Sequence, residues 1–474
     1  MNQNNKIGSM EKHILSKTTY IKGEQCLMQL FLTKKYPKLR DRIPAERLAI
    51  FSRGTKVGIY AQDLFPGGID AGPKHYSQYQ KAIEQTQELM KKGQDVIYEA
   101  AFQANKTLIL LDILVRNGDK WDAYEVKSSL KLSDTYYKDA ALQYNVLINS
   151  GVEINSFSLI HINKEYSREG EIDNKKLFVI TDVTENVKSE FENVNTKINE
   201  KLESLIAETA PKVTLGAQCF SPYDCDFIGH CWKNIKRPSV FDIPSLDLEQ
   251  QFYLHRKHGS LSNILENDDS IDEYQSAEIR CQIDKSDHLE LSDDTMEGFE
   301  ELYNAEEEKY ALKILYFIPA LPLYDNTKPY QKIAFAYAIM PLDGSSNAKI
   351  FISNGQNNPE IEIIEKLSIE AEDKIFINLN GGHDDIESFD LQQIIDNGEY
   401  YSPKMQKDYN NKSLSAALGN RPQWMAIESD IVAAQYYDEI LRGHSKSVEK
   451  LNLIKDYLIN EVNLVKQFFD FVSQ

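Results

Sequence analysis

Between residues 78 and 162 the hydrophobic pattern of the chain changes period, and that change restricts the possible folds more than any other feature. Gln78–Lys92 places apolar residues every three or four positions, the spacing of an amphipathic helix. Val96–Phe102, Thr107–Val115, Trp121–Val126 and Phe157–Ile162 are instead short, rich in Ile, Leu, Val, Phe and Tyr, and bounded by turn formers such as Asn117-Gly118-Asp119. They predict strands. Tyr136–Asn149, between the last two, returns to helical spacing. The order strand, strand, strand, helix, strand predicts an α/β unit: a mixed sheet flanked by helices. Met28–Leu32 and Val187–Glu208, the latter ending before Pro211, add further helices.

The second half repeats the alternation after an interruption. Ser260–Glu308 is crowded with Asp, Glu and Ser and poor in large apolar residues, which reads as an acidic connector. Beyond it, Ala311–Ile318, Ile333–Pro341, Ala348–Ser353 and Lys374–Asn378 restore strand signals, and Ile427–Leu441 and Val448–Val472 read as helices. With 474 residues and roughly 150 per domain as a guide, the expected division is residues 1–243, a connector over 244–308, and a second α/β domain over 309–474. A hydrophobic fraction of 42% excludes general disorder.

The apolar runs are too short for a membrane helix, which needs roughly 20 residues; Leu108–Val115, for example, is broken by Asp112. Met1–Met10 is polar, so a cytoplasmic address is expected and no membrane partner. The net charge of −20 opposes a chain-wide attraction to nucleic acid but leaves room for a local basic cleft.

Two groups of residues carry chemistry. Asp112 interrupts Leu-Ile-Leu-Leu-Asp-Ile-Leu-Val, where burying a carboxylate without a partner or an ion is costly. Glu125 and Lys127, two apart on the next strand, project to one face. A Glu-x-Lys triplet alone usually marks a solvated face; beside Asp112 it becomes a plausible site for Mg²⁺ or Mn²⁺. Glu99, in a strand-like context, would extend the set of metal ligands Glu99, Asp112 and Glu125.

The second group is Cys219, Cys225 and Cys231, spaced C-x5-C-x5-C, with Cys26 far upstream. Structural zinc sites usually pair cysteines two to four apart, which this spacing does not match, and four thiolates also suit an iron–sulfur cluster; zinc is the weaker alternative. Cys281 reads as an ordinary small hydrophobe.

Taken together, Ser16-Lys17-Thr18-Thr19-Tyr20 through Cys26, Asp112 with Glu125-Val126-Lys127, Gln143 on the following helix, and the three later cysteines resemble the PD-(D/E)XK nucleases of the RecB type. The nearest branch is that of the iron–sulfur exonucleases related to the CRISPR-associated Cas-four proteins and to AddB. The resemblance covers about the first half of the chain and implies a restriction-endonuclease-like sheet. It implies metal ligation by Asp112 and Glu125, catalysis by Lys127, support from Gln143, and a [4Fe–4S] cluster on Cys26, Cys219, Cys225 and Cys231. Two positions depart from the family pattern. Thr55, in Arg53-Gly54-Thr55-Lys56-Val57-Gly58, stands where many relatives carry a metal-ligating His, and Gln143 is followed by Leu147 four residues on instead of Tyr.

The run Leu315–Asp325 and Thr327–Gln331 resembles bacterial proteins that join such a nuclease to a DnaQ-like exonuclease domain of the RNase H fold. Active members carry an Asp-x-Glu pair on the first strand; here Tyr316-Phe317-Ile318 passes directly to Pro319, and Glu461 stands where an Asp is expected. A catalytically dead domain is implied. The acidic run His383–Glu387 reads as a solvated loop. The leading expectation is a metal-dependent DNA nuclease acting on single strands or ends. The alternative is a nucleic-acid-binding or scaffolding subunit of a defence or repair complex that meets a protein partner through its C-terminal domain.

Overall fold

The computed structural model describes residues 14–380, 382–405, 410–419, 426–443 and 446–474, with the side chains of 50–56 and 76 excluded, so the side chain of Thr55 lies outside the described residues. The chain divides into two compact units: one runs up to Lys233 and includes Pro319–Tyr330, and the other comprises Asn234–Ile318 and Gln331–Gln474. Both are α/β.

In the first unit the strands are β1 (Leu15–Ser16), β2 (Ile69–Asp70), β3 (Val96–Ala104), β4 (Thr107–Asn117), β5 (Lys120–Lys127), β6 (Ile154–Ile162) and β7 (Phe178–Asp182). They form one mixed sheet in the order β2-β3-β4-β5-β6-β7, with β1 against β4. β3, β4 and β5 are an antiparallel meander, while β5 and β6 are parallel. A parallel pair needs a crossover, and helix α5 (Asp134–Asn149) supplies it; α1 (Lys17–Gln25), α2 (Leu27–Lys35), α3 (Ala45–Gln62) and α4 (Tyr79–Lys91) precede the meander. One sheet face packs Leu111, Leu114, Ala123 and Phe157 against Ala140, Leu142 and Leu147, in one core with Val194 and Ile198. The expected helix Val187–Glu208 is two helices, Thr184–Ser189 and Phe191–Ile206.

The opposite face is completed from far along the chain. Ala320 and Leu321 are buried with Val57, Ala61, Ile113, Ile160, Ile162 and Leu177. Arg168 Nη1 donates to the carbonyl of Leu323, Gly170 N–H to Asp325 Oδ1, and the Tyr330 hydroxyl to the carbonyl of Ser128. The first unit is therefore discontinuous in sequence, and the boundary expected at residue 243 does not separate all of it.

The second unit carries β8 (His288–Leu289), β9 (Glu308–Phe317), β10 (Ile333–Pro341), β11 (Lys349–Ile352), β12 (Lys374–Asn378), β13 (Ser388–Asp390) and β14 (Tyr400–Tyr401). Five form a sheet in the order β11-β10-β9-β12-β13, with β9, β10 and β11 antiparallel neighbours and β9, β12 and β13 parallel ones. Ile363 and Leu367 of helix Pro359–Glu370 pack on Leu312, Ile314 and Phe376, and Tyr437 of helix Asp430–Leu441 stacks on Phe335 with ring centroids 4.2 Å apart. Residues 244–308 are more than a connector. They fold into the helices Leu248–His258, Leu261–Asn267, Glu273–Asp284 and Asp293–Asn304 within this unit. Side-chain caps at Asp247, Ser260, Asp272 and Ser292 start them, so the acidic and serine-rich composition reflects helix starts as well as exposed faces.

Leu321→Ala is expected to destabilise the first unit by about 2–5 kcal/mol, the usual cost of truncating a buried leucine. Urea unfolding followed by a probe in that unit checks this, and a chain ending at Ile243 is expected to be less stable still, since it lacks the whole segment.

Candidate functional site

The site begins with a break in a ladder. β3 and β4 pair in constant register, Tyr98 with Ile113 and Ala100 with Leu111, yet the intervening pair, Glu99 opposite Asp112, is missing from it. Glu99 has φ = 51°, a left-handed value that is uncommon for a residue with a side chain. Its effect shows in the packing: Ile97 and Ala100, of opposite parity, lie in the same core, as do Leu111 and Leu114. The alternation of both strands reverses where the two acids stand. Between β4 and β5 the ladder likewise stops at Ile113–Tyr124, and the N–H of Val126 donates to Asp112 Oδ2 at 2.6 Å. Continued by one step, this register sets Asp112 opposite Glu125, so Glu99, Asp112 and Glu125 occupy one row across three strands.

Glu125 is 2% exposed and accepts from two lysines. Lys127 Nζ and Lys17 Nζ each lie 2.7 Å from Glu125 Oε1. Lys127 also donates to Asp139 Oδ2, which is 3.9 Å from Lys17 Nζ. Lys17 opens α1 just after β1 meets β4, where a capping box between Ser16 and Thr19 fixes the start of the helix. Asp139 and Gln143 stand one turn apart on α5 and are both buried.

Burial opposes ionisation of Glu125, but the Lys127 and Lys17 ammonium groups outweigh it and hold the carboxyl well below its ordinary range. Asp112 goes the other way: burial, reinforced by the charge of Glu125, raises it well above the usual carboxylate value. Burial likewise raises Glu99 and Asp139. Both lysines are raised despite burial, Lys127 chiefly by Glu125 and Asp139, and Lys17 by Asp139, Glu125 and Asp112. Several buried polar atoms here have no hydrogen-bond partner among the described residues: Glu125 Oε2, Asp139 Oδ1, and both amide atoms of Gln143. Each such atom costs about 1–3 kcal/mol, so a ligand able to satisfy them has a strong drive to bind. An excess of carboxylates with unused oxygens is the donor set of a hard divalent cation.

The structure thus brings Asp112, Glu125 and Lys127 together, with Glu99 close enough to feel the charges of Lys17 and Glu125, sets Gln143 one helical turn beyond Asp139, and adds Lys17 and Asp139, which the sequence reading does not assign to it. Asp139 was discoverable as the residue one helical turn before Gln143. Lys17 had no local signal, because its partners are more than a hundred residues away.

The four cysteines meet elsewhere in the same unit. Cys26 is the extended residue joining α1 to α2, Cys219 ends a short 3-10 turn, and Cys231 ends the helix Ile228–Cys231. With Cys225 they line one cavity of about 380 Å³, open solvent included, alongside Met28, Phe227 and Trp232. All are free thiols. Burial, with Cys26, Cys219 and Cys231 close by, pushes the Cys225 thiol up to about 12. The loop is pinned by Gln25, whose Nε2 donates to the carbonyls of Gln218 at 2.7 Å and Tyr223 at 2.6 Å, and by Asp226, which pairs with Lys22 and with Arg47 at 3.1 Å. The donor chemistry fits a thiolate-bound metal or cluster. Among the described residues, no three His, Cys, Asp or Glu side chains are drawn together around a single ion position. Cys281 is buried in the second unit and is not one of this group.

In the second unit Lys313 of β9 is 5% exposed, and its Nζ lies 3.0 Å from Asp430 and 3.3 Å from Glu461. The Tyr457 hydroxyl donates to Asp430 at 2.8 Å. In the His383–Glu387 run, Asp384, Asp385 and Glu387 are exposed, whereas Ile386 is buried and His383 lies 3.2 Å from Glu360.

No family model matches the chain, and no curated protein matches it.

Asp112→Asn is expected to raise the melting temperature of the metal-free protein at pH 7 by a few degrees. Because the folded state raises the Asp112 carboxyl, the penalty on folding grows as pH climbs from the ordinary carboxylate value toward that raised value, stays constant above it, and vanishes where the acid is protonated in both states. The gain is therefore expected to fade as pH drops through the carboxyl range, which melts in EDTA at stepped pH measure.

Proposed function

We propose that the chain is a metal-dependent deoxyribonuclease of the PD-(D/E)XK superfamily, in the RecB-type iron–sulfur branch, acting on single strands or ends. The observation that carries this reading is the buried cluster of Glu125, Lys127, Lys17 and Asp139, beside Asp112 on the Val126 N–H, with carboxylate and amide atoms that have no partner among the described residues. The meander β3–β4–β5 followed by crossover α5 and parallel β6 is in keeping with a restriction-endonuclease-like sheet.

Glu99, Asp112 and Glu125 are the residues that would hold Mg²⁺ or Mn²⁺. When bound, such an ion polarises the phosphodiester and lowers the pKa of a water. The protein supplies the rest. Glu125 and Asp139 keep Lys127 charged and fixed, so its positive charge is already in place, without reorganisation, when negative charge grows on the phosphoryl oxygens in the transition state. Gln143, buried on α5, offers both a donor and an acceptor to a water or a carboxylate in the site. Hydrolysis adds water across one P–O ester bond, leaving a phosphate monoester on one product and a hydroxyl on the other.

Cys26, Cys219, Cys225 and Cys231 would hold a [4Fe–4S] cluster, fastening the end of α1 to the segment after helix Phe191–Ile206. Zinc is the alternative occupant. The second unit is read as a degenerate DnaQ-like domain of the RNase H fold. Lys313 between Asp430 and Glu461 supports this: an ammonium already balances carboxylates that would otherwise attract a cation. That leaves contacts with a protein partner as its role.

Labelled single- and double-stranded DNA incubated with Mg²⁺, Mn²⁺ or EDTA is expected to show metal-dependent cleavage, lowered about 100-fold or more in Asp112→Ala and Lys127→Ala. Full activity in either variant overturns the assignment. Anaerobically purified protein is expected to show a broad visible charge-transfer absorption that Cys219→Ser weakens or abolishes; colourless protein with stoichiometric zinc selects the alternative.

A further inference from the structure

We propose that Lys17 is the ammonium that receives the phosphate of the substrate, with Lys127 held behind it. The proposal rests on the nuclease reading and gives the two lysines different roles. Both touch Glu125 Oε1 at 2.7 Å, yet their surroundings differ. Lys127 is 13% exposed and donates to both Glu125 and Asp139, while the ring of Tyr136 lies 5.3 Å from its Nζ. Lys17 is 30% exposed, makes one close ion pair, and has Asp139 only at 3.9 Å. An ammonium has three donors. Lys127 has committed two of them to carboxylates in the interior, whereas Lys17 has committed one and is the more exposed of the two.

Charge gives the second reason. When ionised, Glu99, Asp112, Glu125 and Asp139 outnumber Lys17 and Lys127, so a lysine that faces outward adds attraction for a phosphodiester beyond what a bound cation supplies. Lys17 is the more exposed of the two cations. Its backbone is well placed for phosphate capture. The Ser16–Thr19 capping box and the pairing of β1 with β4 fix the Cα, while the flexible stem lets the ammonium turn from Glu125 toward a bound anion without moving the helix.

The test is the binding of a fluorescein-labelled single-stranded oligonucleotide, followed by anisotropy with Ca²⁺ in place of Mg²⁺ across a salt series. Removing one phosphate contact is expected to weaken binding and lower the slope of log K against log salt by about 0.7. Lys17→Met is expected to show both changes, and Lys17→Arg to restore the wild-type slope. Lys127→Met is expected to keep that slope while losing cleavage. If Lys17 merely ties α1 to the sheet, Lys17→Met melts lower but binds with the wild-type slope, and the proposal is overturned. Should Lys17→Met fail to fold, Lys17→Gln, which keeps a hydrogen bond to Glu125, is read by the same criterion. A wild-type protein that binds DNA with a Lys17-dependent slope but never cleaves it defeats the nuclease reading and leaves this assignment standing.

Discussion

A single buried carboxylate organises the first unit. Glu125 lies on the central meander, almost wholly buried, and its charged form is favoured by two ammonium groups that reach the same oxygen, Lys127 foremost. Removing a carboxylate from water costs several kcal/mol, so the partners are as necessary to the ionised state as the acid itself. Lys127 comes from the same strand and Lys17 from the start of α1, while Asp139 steadies Lys127 from α5. Strand, first helix and crossover helix are thereby held in one electrostatic arrangement. The reversed alternation at Glu99 and Asp112 belongs to it as well: the interrupted ladder turns acids toward the site that a regular strand would have presented otherwise.

The unit is also closed by a segment that is remote in sequence. Residues 319–330 leave the second unit after β9, place Ala320 and Leu321 in the first unit's core, and set the Tyr330 hydroxyl on the carbonyl of Ser128, directly after Lys127. Apolar burial supplies most of the affinity of such a segment, and hydrogen bonds from Arg168 and Tyr330 specify its path. The two halves of the chain are therefore not independent pieces, even though each has its own sheet.

The two lysine-centred clusters balance buried charge differently. In the first, four carboxylates face two lysines and several oxygen and amide atoms remain unpaired. In the second, Lys313 meets Asp430 and Glu461, and Tyr457 and Asn411 supply further hydrogen bonds. An unsatisfied arrangement invites a ligand; a satisfied one stabilises a fold. This contrast underlies reading chemistry into one unit and contacts into the other.

The amino-acid order alone determined the α/β class, the strands of the meander, helix α5, and the suspicion attached to Asp112, because hydrophobic period and the cost of an acid in an apolar run are local properties. Glu125 and Lys127 were legible for the same reason, being two apart on one strand. The partnership of Lys17, the left-handed turn of Glu99, the convergence of four thiols and the capture of residues 319–330 were decided only by the tertiary structure. Each depends on pairs of groups separated by tens to hundreds of residues, and no periodicity in a sequence encodes which distant surfaces will exclude water from one another.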